Sequence, residues 1–247
     1  MSVKPQPAPV VTTYEELAAE YYTARHPTCA NFREASASVV TGWLAGPLPE
    51  GIVCDVGAGK SIVAETLAAR GEPLDRVILV DSSASMLRHS QSWIDAGARA
   101  IVADAEALPL DGGGVALLVA SLGDPYDGQE FWSEARRVVR PGGQVFFTTP
   151  SYDWAVAFRR SNQDSPFDRA VFALADGRHI AVPSFILPRE QQCEVIAKAG
   201  FRTDEVVDVP LSAIAPAARS AKLMSERGEG ASIVTAYRAL RTNGPHG

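Results

Sequence analysis

Cysteine is scarce: Cys29, Cys54 and Cys193 are the only three among 247 residues. They form no CxxC pair and cannot all be bridged, so a disulfide framework is not expected and a reduced, cytoplasmic compartment is. The four histidines, His26, His89, His179 and His246, lie far apart, which argues against a zinc site, and no metal is expected. Long apolar runs are missing too. Even a run as long as Val115 to Ala120 falls far short of the roughly 20 residues a membrane-spanning helix needs, so no membrane association is expected. Residues 1–11 lack the apolar segment of a secretory signal. Basic residues are outnumbered, 23 Lys and Arg against 29 Asp and Glu, for a net charge of −6. That balance argues against a non-specific nucleic-acid binder, which needs clustered cations to neutralise phosphates.

What is present is ordinary for a globular chain: 46% hydrophobic and 21% charged residues. The length fits one large α/β domain or two small ones. Short apolar runs at Ile52–Asp55, Val77–Val80, Ala100–Ala103, Val115–Ala120 and Val145–Thr148 read as strands buried on both faces. Helical stretches at Ser61–Arg70, Ser83–Ala96 and Gln129–Val139 separate them. This alternation predicts a doubly wound, mostly parallel sheet. Arg140-Pro141-Gly142-Gly143 is expected to stop a helix and turn the chain into the next strand. Residues 1–11 read as a disordered start, 12–45 as an N-terminal helical cap, 46–150 as the core, 189–240 as its C-terminal part and 241–247 as a frayed tail. Residues 151–188 are long for a connection. Within them, Val171–Leu174 and His179–Val182 flank Asp176-Gly177, a hairpin signal. The insertion therefore reads as a helix and hairpin, either a lid over the carboxyl edge of the sheet or a solvent-facing ornament.

The richest stretch is Val53-Cys54-Asp55-Val56-Gly57-Ala58-Gly59-Lys60-Ser61: a strand ending in an acid, a glycine loop, then a helix start. Such a loop lets a ligand approach bare backbone beyond the strand ends, and the helix N-terminus favours an anionic group. A P-loop needs GxxxxGK[ST], and its first glycine falls on Cys54. A dinucleotide loop wants GxGxxG or GxGxxA, and its last position is Ile62. A second strand ends in Asp81, about 20 residues after the glycines, where a carboxylate can accept both hydroxyls of a ribose. A third ends in Val102-Ala103-Asp104-Ala105-Glu106.

In these motifs and their order the chain resembles the class I S-adenosylmethionine (SAM)-dependent methyltransferases, whose first motif reads hhhDxGxGxG. Asp55, Gly57 and Gly59 match it, and Ser61 replaces the third glycine. The resemblance covers about residues 50–150. It implies S-adenosyl-L-methionine as cofactor and a seven-stranded sheet with an antiparallel final hairpin, at Glu205–Val209 and Ser232–Tyr237. It assigns Asp81 to the ribose, Ser82 and Met86 to the adenosine site, and Asp104, Ala105 and Glu106 to the adenine edge. Arg140-Pro141-Gly142-Gly143 resembles the family's turn before its fifth strand. Where the family often carries Asp near the start of strand four, this chain has Ala116.

Methyl transfer from a sulfonium is an in-line displacement to which a protein contributes mainly positioning. A general base is needed only for an acceptor with a tightly held proton. The resemblance implies that the loop after strand four, Ser121-Leu122-Gly123-Asp124-Pro125-Tyr126-Asp127, faces the methyl group, with Ser121 among the cofactor contacts. Asp124-Pro125-Tyr126 is close to the (D/N)PP(Y/F) motif of amino-group methyltransferases but lacks one proline. It reads as an amine site, with Asp124 and Tyr126 catalytic, or as a Pro-containing turn. Tyr14, Tyr21 and Tyr22 are expected on one N-terminal helix, with Tyr22 the first choice and Tyr21 the second to cover the cofactor. His26 is either a base or a capping residue. Arg159, Arg160 and Arg178 either grip an acidic acceptor or are solvated. The expected function is methyl transfer to a small-molecule acceptor. The competing readings are an RNA or protein methyltransferase and a nicotinamide-dependent oxidoreductase.

Overall fold

The computed structural model describes residues 14–163, 165–224 and 230–243. The expected disordered start, the end of the tail and His246 lie outside the described residues. A short helix α1 (Tyr14–Leu17) and a long helix α2 (Pro27–Ala45) precede the sheet. The core then runs β1 (Ile52–Val56), α3 (Ile62–Ala69), β2 (Val77–Asp81), α4 (Ala84–Leu87), α5 (Gln91–Asp95), β3 (Arg99–Val102), β4 (Val115–Ala120), α6 (Gln129–Val138) and β5 (Val139–Pro150). After β5 come α7 (Tyr152–Ser161), the strands β6 (Arg169–Ala173) and β7 (His179–Pro183), α8 (Arg189–Lys198), β8 (Phe201–Pro210), α9 (Ala221–Met224) and β9 (Ser232–Arg241).

Seven strands form one sheet in the order β3-β2-β1-β4-β5-β9-β8, and β9 runs against the other six. The doubly wound sheet with its antiparallel final hairpin is as the sequence predicts. The order reverses between β1 and β4, and the carboxyl ends of neighbouring strands there open a crevice, the place where such sheets bind ligands. The continuous apolar runs follow from burial on both faces. Along β1, Val53 packs with Val40, Leu67, Leu79 and Phe146 on the α2–α3 side, and Cys54 and Val56 pack with Phe131, Trp132 and Phe147 on the other.

Three local expectations are corrected. The helix predicted over Ser83–Ala96 is broken into α4, a 3-10 turn and α5. Ser83 caps α4 by accepting from the Met86 N–H, and Ser90 is used elsewhere, donating to the Gly59 carbonyl at 2.6 Å and accepting from the Ser61 N–H at 2.8 Å. The strand expected at Val145 already begins at Val139, and Arg140–Gly143 bulge out of it, since Val115 pairs with Val139 but Leu117 with Gln144. The three N-terminal tyrosines do not share a helix. Helix α1 ends at Leu17 and turns follow to Arg25, because one helical turn has no cooperative stability to extend itself.

Residues 151–188 hold α7 and the two-stranded ribbon β6–β7. The inner face of the ribbon, Phe172, Ile180 and Val182, packs on Leu17, with Tyr14 and Tyr21 against it. Ion pairing of Arg178 with Glu16 at 2.7 Å and the Ala175 N–H on Glu20 at 3.0 Å fasten the hairpin turn to the N-terminal segment.

Candidate functional site

A cavity of about 320 Å³ opens at the switch point. Its floor is the glycine loop. Asp55, at the end of β1, accepts from the Ser61 hydroxyl at 2.6 Å, and the same hydroxyl accepts from the Ala64 N–H to cap α3. Ser61, in place of the third glycine, thus ties the strand-end acid to the helix start. Gly57 has φ +66°, and a Cβ there would meet the Tyr126 hydroxyl at 2.7 Å, so only glycine fits. Gly59 has φ +42°, and its missing side chain leaves room for the Tyr22 hydroxyl and Met86.

Asp81 ends β2 with both carboxylate oxygens oriented, one accepting from the Gly59 N–H at 3.0 Å and the other from the Ser83 N–H at 2.9 Å. Each oxygen keeps a lone pair for the cavity. Beyond β3, Asp104 accepts from the Glu106 N–H at 3.0 Å, a turn that arranges Asp104, Ala105 and Glu106 along the cavity rim. At the other end stand Tyr22 and Tyr126. The Tyr22 hydroxyl accepts from the Lys60 N–H at 2.7 Å, and the Tyr126 hydroxyl donates to the Val56 carbonyl at 2.9 Å.

Burial dominates the electrostatics. It pushes the Asp55 carboxyl up to about 7 against the opposing bond from Ser61, and neighbouring Asp81 adds to the rise. Asp81 is raised by burial and held back by its two backbone bonds. Burial lifts the Tyr22 phenol to about 12, and Tyr126 also rises. The exposed Glu15 moves the other way, to about 2, because the Ser83 and Ser85 hydroxyls donate to it.

Of the residues assigned from sequence, Tyr22, Asp55, Gly57, Asp81, Ser82, Met86, Asp104, Ala105, Glu106, Ser121 and Tyr126 line this one cavity. Gly59 lies just beneath it, bonded to Asp81. Asp124 and His26 do not line it. Asp124 is buried behind the wall, one oxygen accepting from the Ser184 hydroxyl at 2.7 Å and its charge raising the cavity phenols Tyr14, Tyr21 and Tyr126, and its carbonyl accepts from the Phe185 N–H at 2.7 Å. Burial raises it to about 7. His26 caps nothing with its side chain. It is buried against Phe172 and lies 4.0 Å from Glu20, and burial lowers its pKa. Arg159 is neither solvated nor in the cavity: it donates to the carbonyls of Phe167 and Ser184 and to the Ser184 hydroxyl. Arg160 is exposed, and Arg178 is exposed and paired with Asp176 and Glu16.

Sequence reasoning gave no role to Arg33, Lys60, Leu122 or Pro183, which also line the cavity. Arg33 lies over the Tyr21 and Tyr22 rings, 5.1 and 4.7 Å from their centroids. No motif marks it, because it arrives from α2 through tertiary packing. Tyr14 and Tyr21 complete the wall.

The residues fit the cofactor that the sequence resemblance implies. An oriented carboxylate with free lone pairs suits a ribose diol. The Tyr22 and Tyr126 rings in the same lining suit a sulfonium cation. Among the described residues no cluster of side chains could hold a metal ion.

Residues 53–143 match the family model of a methyltransferase domain. No curated protein matches the sequence. Solved structures share the fold at low identity. A chain of the complex between the Haloferax volcanii Trm112 methyltransferase activator and the putative methyltransferase is 13% identical, with a TM-score of 0.66 over 95% of this chain and 98% of that one. A putative S-adenosylmethionine-dependent methyltransferase from Listeria monocytogenes is 13% identical, with a TM-score of 0.64 over 86% and 99%. The geranyl diphosphate C-methyltransferase of Streptomyces coelicolor A3(2) is 16% identical, with a TM-score of 0.59 over 94% and 89%. Residues 53–143 thus carry a methyltransferase domain, on a fold that the whole chain shares with these solved methyltransferases.

Proposed function

We propose that the enzyme methylates a small-molecule acceptor by in-line displacement inside this cavity. The carrying observation is the roof. Tyr14, Tyr21 and Tyr22 from the N-terminal segment and Pro183 from the ribbon wall the space above the glycine loop. Bound S-adenosyl-L-methionine supplies an electrophilic methyl group on a sulfonium. In this reading Asp81 holds the ribose, Asp104, Ala105 and Glu106 hold the adenine edge, and Lys60 and Arg33 face the amino-acid end. Tyr22 and Tyr126 confine the reacting end and exclude water. Because neither Asp124 nor His26 lines the cavity, the reading relies on alignment rather than on a dedicated base. The acidic chain, with Arg33 and Lys60 the cavity's only two cations among the described residues, favours neither RNA nor DNA. No described helix is long and apolar enough to cross a membrane.

A second reading, a macromolecular acceptor or an activator partner, draws on one observation. The likeness to the complex that contains the Haloferax volcanii Trm112 activator spans 95% of this chain.

The test is a calorimetric titration with SAM, S-adenosylhomocysteine and NADH, followed by transfer of a labelled methyl group in a cell extract. The proposed reading expects both sulfur compounds to bind and the label to enter the dialysable fraction. Label in RNA or protein supports the second reading. Binding of NADH alone overturns both.

A further inference from the structure

Just past β4 the chain passes through Leu122, the only non-glycine residue with a left-handed φ, +57°, among the described residues. Such a conformation persists only where its surroundings hold it. Three hydroxyls do so. The Leu122 N–H donates to Thr148 Oγ1 at 2.8 Å. Thr148 Oγ1 lies 2.7 Å from Ser36 Oγ, which lies 2.7 Å from Ser121 Oγ. Ser36 and Thr148 are fully buried, and Ser121 is half-buried and lines the cavity. Ser36 comes from the middle of α2, and its hydroxyl bonds across to the sheet rather than to its own helix.

The proton count orders this chain. Three hydroxyls carry three protons and share two hydrogen bonds, so one proton is left over. On Ser36 or Thr148 it would be buried with no acceptor, which is costly. On Ser121 it points into the cavity. Every bond then runs one way, Thr148 donating to Ser36 and Ser36 to Ser121, and aligned bonds reinforce one another. The neighbouring polar groups agree. Tyr14 and Tyr21 line the same cavity with no hydrogen-bond partner for their hydroxyls among the described residues, and burial keeps both phenols protonated. The nearby acid, Asp124, is taken up by Ser184.

We propose that Ser36 is a positioning residue that makes the Ser121 hydroxyl a fixed hydrogen-bond donor at the acceptor end of the cavity, so that the acceptor presents an oxygen lone pair there rather than an ammonium group. This rests on the small-molecule reading above and narrows its substrate class to oxygen-bearing acceptors: a carbonyl, carboxylate or phenolate oxygen beside the methylated atom.

The test uses the full chain saturated with S-adenosylhomocysteine and two probes, acetophenone and benzylamine, followed by ligand-observed NMR. Acetophenone is expected to bind more tightly than benzylamine. Ser121→Ala and Ser36→Ala should each weaken acetophenone about fivefold, the worth of one hydrogen bond. The double variant should be no weaker than Ser121→Ala alone, because Ser36 acts through Ser121. Ser36→Thr, which keeps the hydroxyl, should restore binding, and every variant is compared at saturating S-adenosylhomocysteine, so that a change in its affinity does not enter the comparison. If Ser36→Ala does not fold, Ser121→Ala alone still decides, since acetophenone unaffected by it overturns the proposal. Tighter benzylamine, no acetophenone binding, or additive losses also overturn it. Failure of S-adenosylhomocysteine to bind the unaltered chain is a different result and sinks the proposed function together with this inference.

Discussion

Asp81 accepts a hydrogen bond from the backbone N–H of Gly59 at 3.0 Å, so the acid that ends β2 also braces the loop that follows β1. In the proposed reading Asp81→Ala removes a ribose partner and this brace together. SAM affinity should fall by about 1–3 kcal/mol, the scale of a charged hydrogen bond. Calorimetry reads the change, and an unaltered Kd would take Asp81 off the ribose.

Asp55 is kept at a cost. Its folded pKa is raised from the ordinary carboxylate range to about 7. Its contribution to stability is therefore full below pH ~4 and is lost as pH rises toward 7. Asp55→Asn keeps an acceptor for Ser61 without the buried charge. It should stabilise the fold by roughly 2–4 kcal/mol at pH 8, about 5 °C or more in Tm, and by less as pH falls toward 4. Calorimetric melting at the two pH values checks this, and a gap that widens on acidification would contradict it.

Tyr22 seals the glycine loop through its ring and its hydroxyl. Tyr22→Phe loses only the bond from the Lys60 N–H and should weaken S-adenosylhomocysteine by about 0.5–1 kcal/mol. Tyr22→Ala also strips the ring contacts with Tyr21 and His89 and should cost more than 1 kcal/mol. Equal affinities for the two variants would mean that the ring does not cover the cofactor.

Arg159, Ser184 and Asp124 form one buried polar unit between the insertion and the site loop. Arg159→Leu leaves the Ser184 and Phe167 carbonyls without a donor and should destabilise by about 2–4 kcal/mol. Asp124→Ala should speed hydrogen exchange across residues 167–185 and leave S-adenosylhomocysteine affinity within about twofold, because Asp124 holds the ribbon and not the cofactor. The double variant should lose less than the sum of the two in a melting experiment. Strict additivity would separate the two residues.

The core was legible because its signals are local. Periodic apolar runs mark strands buried on both faces, and Asp55, Gly57, Asp81 and Asp104 follow at the intervals at which successive strands end along one sheet edge. The helix expected over Ser83–Ala96 was misjudged for a physical reason: Ser90, neutral to helix propensity, is drawn to the glycine loop by partners 29 and 31 residues away in sequence. Asp124-Pro125-Tyr126 carried a motif that no neighbour in sequence could interpret, since its partners Ser184 and Phe185 arrive only through the insertion.

By itself the sequence determined the doubly wound sheet, the cofactor loop and the row of acids along its edge, because each depends on residues within one βαβ unit. Only the tertiary structure decided which side chains meet across units. It left Asp124 and His26 out of the cavity lining, brought Arg33 to the cavity and Ser36 to its wall residue Ser121 from α2, and added Tyr14 and Pro183 to the wall. Those contacts arise when separate elements bury their apolar faces together, and no spacing along the chain encodes them.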